Sequence, residues 1–345
     1  MAGQGGRMTL REWSLLGLLA VLWGGSFVFA EIGLRELAPP WLVLSRLAFA
    51  ALALQLVMRL AGTTIAMSPA LFGRFLVMGC LNNVVPFSLI VWSQTAIEGS
   101  LAAILNATTP FWMVLLAHFL TADERATPQK FTGIAIGWGG VVVMLGPGLL
   151  AGLGQDLLPQ LAVILATLFY AFSGLYARRL RDVPPVAGAA WQLTASTTVM
   201  APLVLLTQPF PALQTLAPLT WAAVLALALA STAFAYVLFF RILRTAGPTN
   251  LMLVTLLIPV TAVILGGLVL GERLSGEQVL GMALILAGLA VIDGRVLRPI
   301  GAPRHTRRPC QPAAHAQFCS PARRETAAWR KTDGDSSTPA PATRR

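Results

Sequence analysis

The chain has 345 residues, of which 56% are hydrophobic and only 11% are charged. Soluble globular domains carry about 25% charged residues, so this composition argues against a soluble protein and favours a lipid bilayer as the solvent. The net charge of +11 is high, but residues 299–345 hold nine Lys/Arg and three Asp/Glu and so account for +6 of it. No folded recognition module accompanies this charge, and we therefore expect no nucleic-acid partner.

Ten apolar runs of about 20 residues follow one another with brief polar breaks, and this is the length that crosses a hydrocarbon core of about 30 Å. The predicted helices are 15–34, 41–60, 72–92, 101–120, 131–149, 157–176, 188–207, 219–240, 249–270 and 279–297. They leave no room for a soluble domain. The sequence therefore predicts an all-α integral membrane protein with ten transmembrane helices.

The basic residues between these helices predict the orientation. Thirteen arginines and lysines fall on one side of the membrane, whereas only Arg35 and Arg273 fall on the other. Cytoplasmic loops carry the excess of positive charge, so both termini are predicted to be cytoplasmic, in the plasma membrane (inner membrane) of a bacterium.

An internal repeat divides the chain. The stretch 101–125 is replayed by 250–273, and in each copy an apolar helix has a central proline, Pro110 or Pro259, and ends in a Glu-Arg pair. A repeat of five helices is odd, so its second copy enters the membrane inverted, which is typical of transporters. We expect the first repeat to span residues 13–146 and the second 157–297. Residues 298–345 are predicted to form a disordered, basic, cytoplasmic tail, since they lack apolar periodicity.

Prolines within the predicted helices mark candidate binding positions, because each leaves the carbonyl four residues earlier without its amide partner. The residues at those earlier positions are all polar: Asn82, Asn106, Thr198 and Thr255. One interpretation is that these side chains only satisfy the broken turns. The other is that the kinked helices expose carbonyls and amides to a cavity at the membrane centre. We expect Asn82, Asn106 and Thr255 to line such a cavity.

Three further pairs of side chains share a helix face at a spacing of three or four residues. They are Trp23 with Ser26, Tyr170 with Ser173, and Thr232 with Tyr236. An aromatic ring beside a hydroxyl suits an amphipathic organic substrate, so we expect these six residues to bind substrate. The alternative is that neighbouring glycines such as Gly24 and Gly174 bring helices close together for packing alone.

Ionisable residues inside a bilayer are costly and are candidates for function. Arg46 lies a few residues into the second helix, where a structural or gating role is favoured over proton handling. Glu31, near the end of the first helix, pairs with Arg46 or Arg35 in the gate that we expect on the outer side. His118 is expected to be a hydrogen-bonded interfacial residue, and the Glu-Arg pairs of the repeat are interpreted as structural markers. The cysteines, Cys80 among them, match no metal or redox spacing, and we expect no metal and no cofactor.

Several stretches resemble the EamA repeats of the drug/metabolite transporter superfamily. They are Trp23–Phe27, Arg46, Ser100–Trp112, Gly271–Gln278 and, most clearly, Ser231–Glu272. The resemblance implies a ten-helix transporter with cytoplasmic termini and a central cavity lined mainly by helices 1, 3, 4, 6, 8 and 9. It also implies export of small organic molecules, which in this superfamily include amino acids, other metabolites and toxic compounds.

The predicted function is therefore a secondary transporter, not an enzyme, that works by alternating access on a small-molecule substrate. No nucleotide-binding GxxxxGK[ST] motif is present, so ATP hydrolysis within this chain is not the energy source. Pro110 and Pro259 are predicted to be structural or gating residues, and a homodimer is a further expectation. The alternative is a polytopic membrane enzyme or a receptor-like subunit, which would need a reactive constellation that the sequence does not offer.

Overall fold

The computed structural model describes residues 8–121, 126–150 and 157–293. In the first half the helices are α1 (Leu10–Leu34), α2 (Pro39–Leu60), α3 (Pro69–Ser93), α4 (Gly99–Leu120) and α5 (Pro128–Leu150). In the second half they are α6 (Leu157–Leu180), α7 (Pro185–Thr207), α8 (Pro218–Ala246), α9 (Val254–Leu270) and α10 (Gly276–Asp293). The predicted tail, 298–345, and the first Glu-Arg pair, Glu124 and Arg125, lie outside the described residues.

The described ranges contain helices and no strands, so the prediction of an all-helical membrane protein is confirmed. Within these ranges, eight helices are long and apolar enough to cross a membrane: α1 to α4, α6 to α8, and α10. The helix α9 is apolar but shorter. Ten crossings in two inverted halves stay a prediction.

Local sequence explains where several helices begin. Thr9 and Glu12 form a reciprocal capping box at the start of α1, in which each side chain accepts the backbone N–H of the other. Proline stands in the first turn of α2, α3, α7 and α8, where the missing N–H would have had no helical partner. These signals set the ends of the helices, while the apolar faces set their packing.

The two helices α5 and α10 pack glycine against glycine. A Cβ atom placed on Gly133 would lie 2.6 Å from the carbonyl oxygen of Gly288, and one on Gly140 would lie 2.7 Å from that of Gly281. Neither distance leaves room for a methyl group, so the helix backbones touch. In a bilayer, where no hydrophobic effect drives helices together, such close backbone approach through small residues is a main source of association.

Several helices depart from regular α geometry. Wider π turns occupy Cys80–Val84 in α3, Ala226–Phe234 in α8 and Gly266–Leu270 in α9. The helix α4 is interrupted at Ala107 and Thr108, between Asn106 and Thr109. Irregular turns of this kind leave backbone groups free to bind something other than their own helix, and they are frequent at functional sites.

The predicted equivalence of the two central prolines is wrong in detail. Pro110 stands in the first turn of the second part of α4, where a residue without an N–H begins a new helical segment at no cost. Pro259 instead lies inside the helix Val254–Leu265. The chain is interrupted earlier, at Met252 and Leu253, between the short helix Pro248–Leu251 and α9. The two prolines therefore differ in where they stand in a helix: Pro110 coincides with a helix start, and Pro259 does not.

One end of the bundle, which we name the arginine-poor end, carries the loops 35–38, 94–98, 208–217 and 271–275. Here Glu36 accepts hydrogen bonds from the Ala217 N–H at 2.8 Å and the Thr220 hydroxyl at 2.6 Å. The indole N–H of Trp41 donates to the Pro209 carbonyl at 2.9 Å. These bonds join the start of α2 to the loop before α8, so both halves of the chain contribute to this end.

Candidate functional site

A cavity of about 420 Å³ lies in the middle of the bundle. This volume is within the range of small-molecule pockets, which is about 300 to 1,000 Å³. Its wall comes from α1, α3, α4, α6, α8 and α9, the helices that the family resemblance implies, together with Arg46 of α2 and Gln192 of α7. Both halves of the chain therefore build one site, and neither half encloses it alone.

The structure brings all nine of the residues predicted to bind substrate to this cavity. They are Trp23 and Ser26 on α1, Asn82 on α3, Asn106 on α4, Tyr170 and Ser173 on α6, Thr232 and Tyr236 on α8, and Thr255 on α9. Of the four residues predicted to gate or to shape the site, Arg46 and Pro259 also line it, whereas Glu31 and Pro110 do not. Binding of substrate by these residues stays a prediction.

A hydrogen-bonded network joins four helices on one side of the cavity. The Asn82 amide donates to the Tyr236 hydroxyl at 2.9 Å and accepts from the Ser173 hydroxyl at 2.8 Å. The Gln192 amide donates to Asn83 at 2.6 Å and lies 3.4 Å from the same Tyr236 hydroxyl. Asn82 thus reaches across to α6 and α8 and does not serve its own broken turn, which favours the cavity interpretation for this residue.

The other residues of the proline spacing behave differently. The hydroxyl of Thr255 donates to the Met252 carbonyl at 2.7 Å and therefore does not serve the turn that Pro259 breaks, whose free carbonyl is that of Thr255 itself. In α4, the carbonyl of Asn106 is satisfied by the Thr109 hydroxyl at 2.8 Å, while the Asn106 side-chain oxygen is buried without a protein partner. Asn106 is therefore free to accept a hydrogen bond from something that enters the cavity.

Aromatic rings next to this network form the apolar part of the wall. The rings of Trp23 and Phe239 lie 5.7 Å apart, and Phe239 packs edge-on against Phe240 at 5.2 Å. The Ser26 hydroxyl donates back to the Trp23 carbonyl, at 2.6 Å. A flat or aliphatic group that lies against these rings would lose water from that face, which is the main favourable term in binding an apolar body.

Arg46 is the charged residue of the cavity wall. Its Nε donates to the Thr232 hydroxyl at 2.9 Å, and its guanidinium carbon lies 3.8 Å from the centre of the Phe87 ring. Thr232 in turn donates to the Leu227 carbonyl, five residues back in the π turn of α8. The expected pair between Arg46 and Glu31 is not formed in this structure, because Glu31 contacts other groups.

The carboxylate of Glu31 instead belongs to a cluster at the arginine-poor end. It accepts the backbone N–H of Gly99, at the first residue of α4, at 3.1 Å. Glu272 accepts the same N–H at 3.1 Å and the N–H of Ser100 at 3.0 Å, and its carboxylate also takes the Ser100 hydroxyl. Glu272 therefore joins the loop before α10 to the start of α4. The sequence predicted only a structural role for Glu272 and did not predict this contact.

Two carboxyl groups in the loops at this end have shifted pKa values. Burial raises the pKa of Glu98, and the nearby negative charge of Glu272 adds to the effect. The hydrogen bonds from Thr220 and from the Ala217 N–H hold the pKa of Glu36 below its ordinary value, because they stabilise the ionised form. At the same end of the bundle, the surroundings of Glu98 therefore disfavour the ionised carboxylate and those of Glu36 favour it.

Sequence reasoning missed several polar residues of the wall. Gln94 and Ser231 line the cavity, and each has a buried side-chain oxygen without a protein partner among the described residues. Gln192 is 7% exposed and joins the network described above. A polar amide or hydroxyl inside an apolar run is the signal that would have found them, since each needs a partner that lipid does not supply.

Two minor predictions concern His118, which lies away from the cavity, and two glycines, of which Gly174 belongs to its wall. His118, in the last turn of α4, accepts the Ala126 N–H at 3.1 Å and packs edge-on against Phe131 at 5.2 Å. It is hydrogen-bonded near a helix end, as expected. Gly24 touches α9 so closely that a Cβ would lie 2.2 Å from the Thr261 hydroxyl, and Gly174 likewise meets Met113, which favours the packing interpretation of these glycines.

Comparison with known proteins identifies the family. The model of the EamA-like transporter family matches twice, over residues 11–146 and 157–293. Protein PecM of Dickeya dadantii is 30% identical over 64% of this chain and 73% of its own length. A probable amino-acid metabolite efflux pump of Escherichia coli is 24% identical over 82% of this chain and 95% of its own. One solved crystal structure superposes with a TM-score of 0.60 at 20% identity, over 84% of this chain and 99% of that one.

Proposed function

Because the chain belongs to the EamA-like transporter family, we propose that it is a secondary transporter that exports small organic molecules, such as amino acids, other metabolites or drugs. The observation that carries this proposal is the central cavity, whose wall combines aromatic rings with a connected set of amides and hydroxyls. Export is supported by the relative that is named an efflux pump. The names of the family and of the efflux pump favour transport over a membrane enzyme or a receptor-like subunit.

The mechanism that we propose is alternating access by rocking of the two halves around the cavity. The cavity lies between residues supplied by 11–146 and residues supplied by 157–293, so relative movement of the halves changes its openings. At the arginine-poor end, Glu272 and Glu31 hold the first residue of α4 and so act as the gate on that side. Substrate passes this end only after those hydrogen bonds break.

In this proposal the chain crosses the membrane ten times, its halves are inverted relative to one another, and both termini are cytoplasmic. The excess of arginine and lysine on one side supports the orientation. The arginine-poor end then faces the periplasm of a bacterial cell. A reporter fused after Pro211 is expected to read as periplasmic, and a cytoplasmic signal there would overturn the orientation. A homodimer is part of the same set of expectations, and its test is the mass of the purified protein in detergent.

The test of the function is transport by the purified protein in proteoliposomes. The panel comprises amino acids, organic acids and cationic drugs, each with and without a pH gradient, because the coupling mode is to be measured as well. We expect at least one class to move faster than in protein-free vesicles. If no solute moves while the protein is folded and inserted, the proposal is wrong.

Two variants separate a role in the cavity from a role in folding. In Asn106→Leu and Thr255→Leu, a polar lining group is replaced by an apolar one. The matched control is Thr245→Leu, at an exposed threonine of α8 whose hydroxyl also bonds to its own helix. Loss of transport at normal membrane expression in the first two, and not in the control, supports the cavity role. Loss of expression instead would assign both residues to folding.

A further inference from the structure

The charge of the cavity wall is unbalanced. Among its 27 lining residues, Arg46 is positively charged, and the wall as described contains no aspartate, glutamate, lysine or histidine. Glu31, the carboxylate that was expected to pair with Arg46, instead accepts the Gly99 N–H at the arginine-poor end. A guanidinium inside a membrane protein is costly unless it is paired, and this one faces the cavity without a protein anion.

The donors of Arg46 are only partly used. The Nε–H is bonded to Thr232, and the face of the group lies on Phe87 at 3.8 Å. Among the described residues, neither of its two Nη atoms has a hydrogen bond or an ion pair. Thr232 and Phe87 thus fix the plane of the guanidinium from one edge and one face, and leave its terminal edge available. A terminal edge with parallel N–H groups matches the two oxygens of a carboxylate.

Resting on the proposed function, we infer that the substrate class of this cavity is an organic monoanion: a carboxylate on an aromatic or otherwise apolar body. The carboxylate pairs with Arg46, and the body lies against the rings of Trp23 and Phe239. A single guanidinium neutralises one negative charge, so a carboxylate leaves the loaded cavity neutral, whereas a doubly charged phosphate would leave one charge unpaired in a medium of low dielectric.

The same arrangement disfavours organic cations. A protonated amine in this cavity would lie near a like charge, and no carboxylate among the described lining residues offsets the repulsion. The unpartnered oxygens of Asn106 and Gln94 accept hydrogen bonds but carry no charge. We therefore expect neutral analogues to bind with an affinity between those of the anion and the cation, because they keep the contact with the rings and lose only the ion pair.

Three probes with one body and different charges test this ranking: 3-phenylpropionate, 3-phenylpropan-1-ol and 3-phenylpropylamine. Each is titrated against the full-length protein in detergent, and the Kd is taken from the rise in melting temperature, since a ligand stabilises the state that binds it. We expect the carboxylate to bind about tenfold more tightly than the alcohol, or better, and the amine to bind most weakly. Equal affinities, a preference for the amine, or binding of none of the three would overturn the inference.

Variants assign the preference to the guanidinium. Arg46→Gln is expected to bind the alcohol as the wild type does, within about twofold, and to lose the advantage of the carboxylate. Arg46→Lys keeps the charge without the planar edge and is expected to retain part of that advantage. Arg59→Gln, an exposed position of the same helix, is the matched control. If Arg46→Gln does not fold, the order of the three affinities in the wild type and in Arg46→Lys still tests the inference.

Transport of the same probes separates this inference from the function on which it rests. Proteoliposomes that move the amine or the alcohol, with no advantage for the carboxylate, would leave the transporter standing and overturn the monoanion class. Proteoliposomes that move no solute from the wider panel would overturn the transporter itself. Uptake of 3-phenylpropionate that is lost in Arg46→Gln and kept in Arg59→Gln is the expected result.

Discussion

The carboxylate of Glu272 accepts the backbone N–H of Gly99 at 3.1 Å, and so the loop before α10 closes on the first residue of α4. The carboxylate carries its charge to the end of a helix where unpaired N–H groups favour an anion. The contact joins the two halves of the chain at the arginine-poor end, next to Glu31, which binds the same N–H. Opening of this end requires that both carboxylates release α4.

Replacing Glu272 by alanine is expected to open the arginine-poor end more often. The variant loses the bonds to Gly99 and Ser100, and hydrogen bonds to charged groups contribute about 1.5 to 3 kcal/mol each. The measurement is the labelling rate of Ser26→Cys by a membrane-impermeant maleimide added to intact cells, with the native cysteines replaced by alanine. We expect the rate to rise about tenfold. Glu277→Ala, an exposed carboxylate of the next helix, is the control, and an unchanged rate in Glu272→Ala would rule out this gate.

Tyr236→Phe is expected to impair transport without unfolding the protein. It removes the hydroxyl that accepts the Asn82 amide at 2.9 Å and leaves that amide with its 3.3 Å bond to Asn83, and a typical hydrogen bond contributes about 0.5 to 1.5 kcal/mol. The rate of transport in proteoliposomes should fall about tenfold. Tyr176→Phe makes the same chemical change outside the cavity wall. Equal rates in both variants would show that the network does not position substrate.

Gly140→Ala is expected to destabilise the protein, whereas Gly139→Ala is not. A methyl group on Gly140 would lie 2.7 Å from the Gly281 carbonyl oxygen, while the neighbouring Gly139 is exposed and has open space. Overpacking of a close interface costs about 1 to 3 kcal/mol, and alanine at an open helical position gains about 0.5 to 1 kcal/mol over glycine. Melting temperatures in detergent measure the difference. If the two variants melted alike, the direct contact between α5 and α10 would be disproved.

The bond between Glu36 and Thr220 is expected to depend on pH. The pKa of Glu36 is lowered in the folded protein, so its contribution to stability is complete above the ordinary glutamate pKa of about 4.3 and is lost as the pH falls through the lower, folded value. A double-mutant cycle of Glu36→Gln and Thr220→Val in melting temperature measures the coupling. It should be present at pH 7 and vanish in acid. A coupling that grew in acid would contradict the sign of this pKa shift.

The sequence predicted the cavity better than it predicted the ends of the bundle. Polar side chains at helical spacing, such as Trp23 with Ser26, select one face of a helix, and in a membrane a polar face must point to a site or to another helix. Periodicity therefore sufficed to identify that part of the wall. It did not suffice for Gln192, whose partner, Asn83, belongs to another helix.

Features that depend on contacts between distant helices could not be predicted. Glu272 and Gly99 are 173 positions apart, and nothing in either local sequence shows that they meet. The expected pairing of Glu31 with Arg46 or Arg35 is not formed for the same reason. The sequence shows these arginines near Glu31 but does not show that the Gly99 N–H reaches it. The interruption before α9 also falls away from Pro259, at Met252 and Leu253, and the proline lies inside the helix that follows.

The glycine contact between α5 and α10 has a practical consequence for measuring the transport cycle. In the described ranges neither helix supplies a residue to the cavity wall, and their backbones are in direct contact. Because α5 belongs to the first half of the chain and α10 to the second, spin labels attached to the outer faces of these two helices measure whether the glycine contact holds while the halves move. A constant distance between the two labels would make this contact the axis of the rocking, and a change in the distance from either label to one on α1 or α8 would then be a displacement of the wall itself.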